Sequence, residues 1–251
     1  MIPGLQATRE ALRSGTIEIS EIWVKAGRRN GRIEEIQRLA KTGGIPLLFK
    51  KGKQLDLLLP DVVHQGIIAF AQRFDYVDLD HIIRASSRDS GYALIMAADH
   101  ITDEGNLGAL IRAAAFFRTH GLILPRDRSA KVTENVLKRS AGSSIYVPVT
   151  RVVNLCRTLD ILNKKGFWII GAAGEGPESI YEFDWKRDLV LVLGSEGKGL
   201  SRSVRERCHQ LVSIPAVGPV DSLNISMAGG VILSEIRRQR SFTGSRFKKA
   251  N

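Results

Sequence analysis

Two cysteines, Cys156 and Cys208, are the only thiols in 251 residues, and they lie far apart with no C-x-x-C pair. That excludes a disulfide scaffold and a zinc finger, and it suits a reducing cytosol. Long hydrophobic runs are missing too, since no stretch approaches the roughly 18 consecutive apolar residues of a membrane span. The start, Met1-Ile2-Pro3-Gly4-Leu5-Gln6, has no basic segment leading into an apolar one. No signal peptide is expected, and the expected location is cytoplasmic. His64, His81, His100, His120 and His209 show no H-x-x-x-H spacing, so no metal site is expected.

Familiar catalytic signatures are also absent. A P-loop needs four residues before its Gly-Lys, but only Ser195-Glu196 separate Gly194 from Gly197-Lys198. Gly174-Glu175-Gly176 begins a G-x-G-x-x-G, yet the sixth position is Ser179. No G-x-S-x-G elbow occurs, which removes the serine hydrolase reading.

Positive charge is what the chain does have. It carries 37 Lys+Arg against 26 Asp+Glu, a formal +11, and asks for a polyanionic partner, most simply nucleic acid. The charge is uneven. Residues 1–76 hold 12 basic and 8 acidic side chains, residues 77–236 hold 19 and 18, and residues 237–251 hold six basic and no acidic ones. RNA attraction is therefore expected from the two ends, and trimming Arg237–Asn251 is expected to weaken RNA affinity and its salt dependence.

Strand and helix signals alternate throughout. Glu21–Val24, Pro46–Phe49 and Gly66–Phe70 read as strands, with a helix whose apolar face is Ile33, Ile36, Leu39 and Ala40. This predicts a small α/β domain over 1–76, followed by a polar linker, or a helix and linker, over 77–91. Continuous apolar runs at Tyr92–Ala98, Gly121–Leu124, Phe167–Ile170, Leu189–Leu193 and Leu211–Ile214 predict a mostly parallel sheet covered on both faces. That second domain is expected to span 92–240, with a basic tail over 241–251.

Three segments share one design, an apolar strand running into a polar or Gly-rich loop that opens a helix. They are Asp99–Gly108 with Arg112 beyond it, Leu193–Ser201, and Ile214–Ser226 running into Met227-Ala228-Gly229-Gly230. Ligands collect at such strand ends in open parallel sheets. The segments Asn106–Ala114, Leu193–Gly199, and Ile214-Pro215 with Ser222–Ser226 resemble, in order and spacing, the three motifs of the SpoU (TrmH-like) family. Those proteins are RNA ribose 2′-O-methyltransferases of the α/β-knot (SPOUT) class. Gly4–Ala7 and His64–Gly66 resemble the L30e-like substrate-binding domain of the subgroup that methylates a guanosine of large-subunit ribosomal RNA.

The resemblance implies a trefoil-knotted C-terminal domain, S-adenosyl-L-methionine as methyl donor, an RNA partner and a homodimer. It implies donor-binding contacts at Gly194, Ile214 and Leu223, and catalytic polar residues at Asn106, Arg112, Glu196, Ser222 and Asn224. One departure is Glu104, which stands where the family's first loop often carries proline. Methyl transfer to a ribose hydroxyl needs the oxygen aligned behind the methyl carbon and partly deprotonated. Arg112 suits a hold on the neighbouring phosphate and stabilisation of charge on that oxygen. A guanidinium is a poor proton acceptor near neutral pH, so alignment is its first role.

Plainer readings stand beside these. Arg112 could be a solvated helix residue, Glu196 a helix-capping acid, Asn224 a cap or turn residue. Ala228-Gly229-Gly230 suits close helix packing, and the cysteines and histidines suit structural places. A tRNA ribose methyltransferase of the same family and a non-catalytic RNA-binding or ribosome-assembly factor are the alternative functions.

Overall fold

Apolar residues at period two and at helical spacing set out the elements below, in a computed structural model. It describes residues 1–15, 17–27, 31–60, 62–87, 91–195, 197–219 and 222–241. The chain divides into two compact units, one of residues 1–76 with 131–146, the other of 77–130 with 147–251. Segment 131–146 thus groups with the first unit, whereas the sequence reading places it inside the second domain.

The first unit contains β1 (Ile2–Pro3), α1 (Leu5–Ser14), β2 (Ile17–Lys25), α2 (Gly31–Thr42), β3 (Leu47–Lys50), α3 (Gly52–Leu58) and β4 (Ile67–Phe74). Its sheet runs β1-β4-β2-β3, with β2 and β3 parallel and the other pairs antiparallel. Ile17, Ile19, Ile22 and Val24 of β2 are buried; Ile33, Ile36 and Ala40 of α2 are buried too. On the other face, Leu55 and Leu59 pack over Ile68. Beside them Trp23 and Phe70 lie 4.9 Å apart between ring centroids, with Lys50 Nζ 4.7 Å from the Trp23 ring.

The second unit begins with α4 (Leu79–Ser86), where the sequence allows a helix before a linker, then β5 (Leu94–Ala98), α5 (Glu104–Phe116) and β6 (Gly121–Pro125). The short α6 (Glu134–Arg139) belongs to the first unit. The second unit continues with β7 (Val149–Val152), α7 (Leu155–Lys164), β8 (Trp168–Ala172), β9 (Glu178–Ser179), β10 (Leu189–Leu193), α8 (Arg202–Arg205), β11 (Gln210–Ser213) and α9 (Ile225–Ser241).

All pairs in its sheet are parallel, in the order β7-β6-β5-β10-β8-β11-β9. Every residue of β5 and β10 is buried, as a sheet covered on both faces requires. Ile95, Ala97, Val190 and Val192 share one core with Leu155, Leu159 and Leu162 of α7. On the other side α9 comes close to α5 and β10 because it carries Gly229. A Cβ there would lie 2.8 Å from Leu110 Cδ1 and 3.0 Å from Leu193 Cδ1. Close helix packing is thus the role of this glycine.

Two strands consecutive in the chain, β8 and β9, are parted by β11, which pairs with both. Gly176, in the connection between them, lies against the β11 backbone; a Cβ would be 2.5 Å from Val212 C.

The C-terminal charge is redistributed by α9. Arg237 donates from Nε and Nη2 to the carbonyls of Phe117 and Arg118, both at 2.6 Å, and Arg238 pairs with Glu235. Arg240 donates to the carbonyls of Trp185, Tyr92 and Arg187 at 2.9, 2.9 and 2.6 Å, and burial pulls its guanidinium down to about 10. Of the six basic residues expected to attract RNA from this end, Arg237 and Arg240 therefore fasten α9, and Arg238 pairs within it. A cut at Arg237 would remove structure, so a test of the tail on RNA must begin after Ser241; residues 242–251 lie outside those described. Replacing Arg240 with methionine removes a largely buried guanidinium and its bonds to three carbonyls, and chemical denaturation should show a loss of about 2–3 kcal/mol.

Candidate functional site

The C-terminal ends of β10, β8 and β11 open into one cavity of about 800 Å³, a size that suits a cofactor. The loops after these strands build it. Leu193 ends β10 and Gly194 and Ser195 follow it, Ala173, Gly174 and Glu175 follow β8, and Ile214 to Gly218 follow β11. Ser222, Leu223, Asn224 and Ile225 close the wall at the start of α9.

Gly194 permits the closest approach in this wall. Ser195 and Gly199 exchange backbone hydrogen bonds of 3.0 and 2.9 Å, folding the Gly-rich loop back on itself. A Cβ on Gly194 would lie 2.1 Å from Gly199 C and 2.3 Å from Leu200 N. Only glycine fits. Gly197 and Gly199 hold φ of +79° and +63°, the left-handed region that glycine enters without strain.

The first loop is pinned by Asp99, which sequence reasoning did not single out. Its carboxylate is 1% exposed; Oδ2 accepts from Ser201 N–H at 2.7 Å and Oδ1 lies 2.5 Å from His100 Nδ1. A lone acid ending a buried strand was the available signal. Asp103 then caps α5, its Oδ1 accepting from Asn106 N–H at 2.7 Å. Glu104 is the first helical residue. Proline and an acid both suit that position, one by its fixed φ and the other by the helix dipole, so the departure leaves the helix start intact.

Asn106 and Asn224 meet. Asn224 Nδ2 donates to Asn106 Oδ1 at 2.8 Å, while Asn224 Oδ1 accepts from Ser226 N–H at 2.9 Å and from Ser226 Oγ at 2.6 Å. The capping reading of Asn224 and its place in the cavity wall hold together in one side chain. Asn224→Ala should lower thermal stability by about 1–2 kcal/mol through the lost cap. It should also remove the Asn224 bond to Asn106 Oδ1, so methyl transfer should fall further than that loss explains.

Of the expected site residues, Gly194, Ile214, Ser222, Leu223 and Asn224 line the cavity, and Asn106 is bonded to it through Asn224. Leu223 is half exposed and Val217 fully exposed, leaving apolar surface for a ligand to cover. Arg112 is exposed on α5 and is not among the lining residues. Glu196 lies outside the described residues. Glu175 and Arg205, paired through Glu175 Oε1 and Arg205 Nη2, also line the cavity and were not expected there.

Other chemistries find little support. Burial pushes the Cys208 thiol up to about 12, so it is no nucleophile near neutral pH. His120 and His209 each accept a strand backbone N–H through Nδ1, at 3.0 and 2.9 Å, which is structural work. Among the described residues no group of three or more His, Cys, Asp or Glu is placed to hold a metal ion, and no helix is long and apolar enough to cross a membrane.

Comparison with known proteins matches residues 93–234 to the SpoU rRNA Methylase family and residues 1–77 to the family described as RNA 2′-O ribose methyltransferase substrate binding. The chain is 36% identical over 238 residues to a 23S rRNA (guanosine-2′-O-)-methyltransferase, RlmB, of Pseudomonas aeruginosa, covering 95% of this chain and 96% of that one. It is 39% identical over 241 residues to an uncharacterized tRNA/rRNA methyltransferase of Mycolicibacterium gilvum, covering 96% and 76%. Among solved structures it is similar to the SpoU methyltransferase AviRb of Streptomyces viridochromogenes in complex with AdoMet, with a TM-score of 0.75, 26% identity and coverage of 96% and 90%.

Proposed function

The chain belongs to the SpoU rRNA Methylase family, and from that premise we propose that it methylates the ribose 2′-hydroxyl of a guanosine in large-subunit ribosomal RNA. The broader activity follows from the family: S-adenosylmethionine-dependent methyl transfer to an RNA ribose 2′-oxygen, on an α/β-knot fold. One observation carries the finer reading. Nearly the whole chain, both units included, aligns with an enzyme named for that guanosine.

The cavity suits S-adenosylmethionine. Leu193, Ile214 and Leu223 offer apolar walls for a purine, and the glycine loop lets backbone groups approach its polar edges. When bound, the cofactor supplies a methyl group on a positively charged sulfur. The chain's own residues position the acceptor. Exposed Arg112 is available to a phosphate beside the target ribose, where it offsets charge growing on the attacking oxygen. Asn106 and Asn224 fix the polar corner where the first and third loops meet. Ser222 shapes the wall, and Glu196 is assigned to orient Arg112 or Asn106.

RNA binding is assigned first to the basic N-terminal unit, where Lys50 stacks on Trp23 beside Phe70. A homodimer is part of the proposal. Phe116 on α5 and Met227 on α9 are 81% and 60% exposed, apolar surface that a second copy would cover. Sedimentation should give twice the monomer mass. A cytoplasmic location goes with a ribosomal RNA substrate.

The substrate is tested by offering labelled cofactor with ribosomal RNA and tRNA from a strain lacking the modification, then mapping the methylated position. Label at one guanosine of the large-subunit RNA is expected. Label on tRNA alone would replace the substrate and leave the chemistry standing.

A further inference from the structure

Gly174-Glu175-Gly176 fails as a dinucleotide fingerprint, yet the structure sets this segment directly in the cofactor cavity. It follows β8, which lies between β10 and β11, so Glu175 stands between the loops that carry Gly194 and Ile214. Glu175 is the only carboxylate among the described lining residues. Its Oε1 accepts from Arg205 Nη2, and Arg205 Nε in turn donates to the Leu200 carbonyl at 3.3 Å. Among the described residues no hydrogen bond is made to Glu175 Oε2. Glu175 is the more open partner, with side chains 31% and 62% exposed for Arg205 and Glu175.

We propose that Glu175 accepts hydrogen bonds from the vicinal ribose hydroxyls of bound S-adenosylmethionine, and that Arg205 is the positioning residue that aims it. A carboxylate presents two acceptors at a spacing that suits two neighbouring hydroxyls, the use an acid serves on nucleotide ribose in other open α/β sheets. The ion pair decides between the ligand's candidate groups. An isolated carboxylate would attract the α-ammonium at the amino-acid end. With Arg205 balancing its charge, Glu175 exerts little net pull on a cation but still accepts from neutral hydroxyls. Arg205 is itself tied to the end of the Gly-rich loop through that bond to the Leu200 carbonyl. Ribose recognition and the shape of that loop are therefore coupled.

The inference rests on the S-adenosylmethionine reading, and the test separates the two. Calorimetry would compare S-adenosylhomocysteine, its 2′-deoxy and 3′-deoxy forms, and methylthioadenosine, which lacks the amino-acid end. The wild-type protein should bind the deoxy forms about ten- to hundredfold more weakly, the range for a hydrogen bond to a charged group. Glu175→Gln should bind S-adenosylhomocysteine more weakly by a similar factor and distinguish the deoxy forms only a few-fold. Arg205→Met, which keeps the carboxylate but frees it, should fall between the two and supports the inference should Glu175→Gln melt early. Full discrimination by Glu175→Gln would overturn the proposal. So would an Arg205→Met protein that discriminates like the wild type. A Glu175→Gln defect that vanishes with methylthioadenosine would also overturn it, assigning the carboxylate to the ammonium. Failure of the wild-type protein to bind S-adenosylhomocysteine would count against the cofactor reading instead.

Discussion

Replacing Gly194 with alanine should abolish measurable cofactor binding and lower stability by about 3 kcal/mol, the upper end for forcing one methyl into a packed interior. The reason is local and steric. The added carbon would meet Gly199 C at 2.1 Å, Leu200 N at 2.3 Å and Gly199 O at 2.5 Å. All three are backbone atoms, so no side chain can rotate away, and the loop between Ser195 and Gly199 must open. That loop forms one wall of the cavity, and its displacement moves the wall. Gly197→Ala is the informative companion. Its φ of +79° carries strain, but nothing lies within 4 Å of the new carbon. A cost of about 1–2 kcal/mol is expected there, with cofactor affinity largely kept. Equal effects at the two positions, read by calorimetry and thermal melting, would show that general loop strain matters rather than the contact at Gly194.

Arg112→Ala should do the opposite: leave fold and cofactor affinity alone and lower the rate of methyl transfer about 10²–10³-fold, the usual cost of removing a group that stabilises transition-state charge. Arg112 is exposed on α5 and is not among the cavity-lining residues. Its removal should therefore shift stability by no more than about 0.5 kcal/mol. Arg112→Lys should recover part of the rate, because an ammonium restores charge but lacks the planar fork that grips a phosphate. Single-turnover rates at saturating cofactor separate this from weaker RNA binding. A fall in affinity with an unchanged rate would reduce Arg112 to an RNA contact.

The parallel sheet was legible in the sequence because its strands are buried on both faces, and runs such as Leu189–Leu193 admit no polar residue. Their order was not. Nothing in the composition of β11 tells that it enters between β8 and β9, since any apolar strand satisfies the same pairing. The site divides in the same way. Asn106, Gly194 and Asn224 stand in segments whose residue order carries the resemblance. Glu175 and Arg205 meet across 30 residues through folding alone, and a failed fingerprint hid the first of them. Arg237, Arg238 and Arg240, counted in the sequence toward RNA attraction, show a related limit of charge counting. Charge counts a guanidinium as free, while the fold spends these three on carbonyls and a neighbouring acid.

The most direct test is nucleoside analysis of large-subunit ribosomal RNA after incubation with labelled S-adenosylmethionine and either the wild-type or the Arg112→Ala protein. The wild-type protein should place label in 2′-O-methylguanosine, and the variant should place almost none while binding cofactor normally. Label in a base-methylated nucleoside, or equal incorporation by the two proteins, would contradict the account.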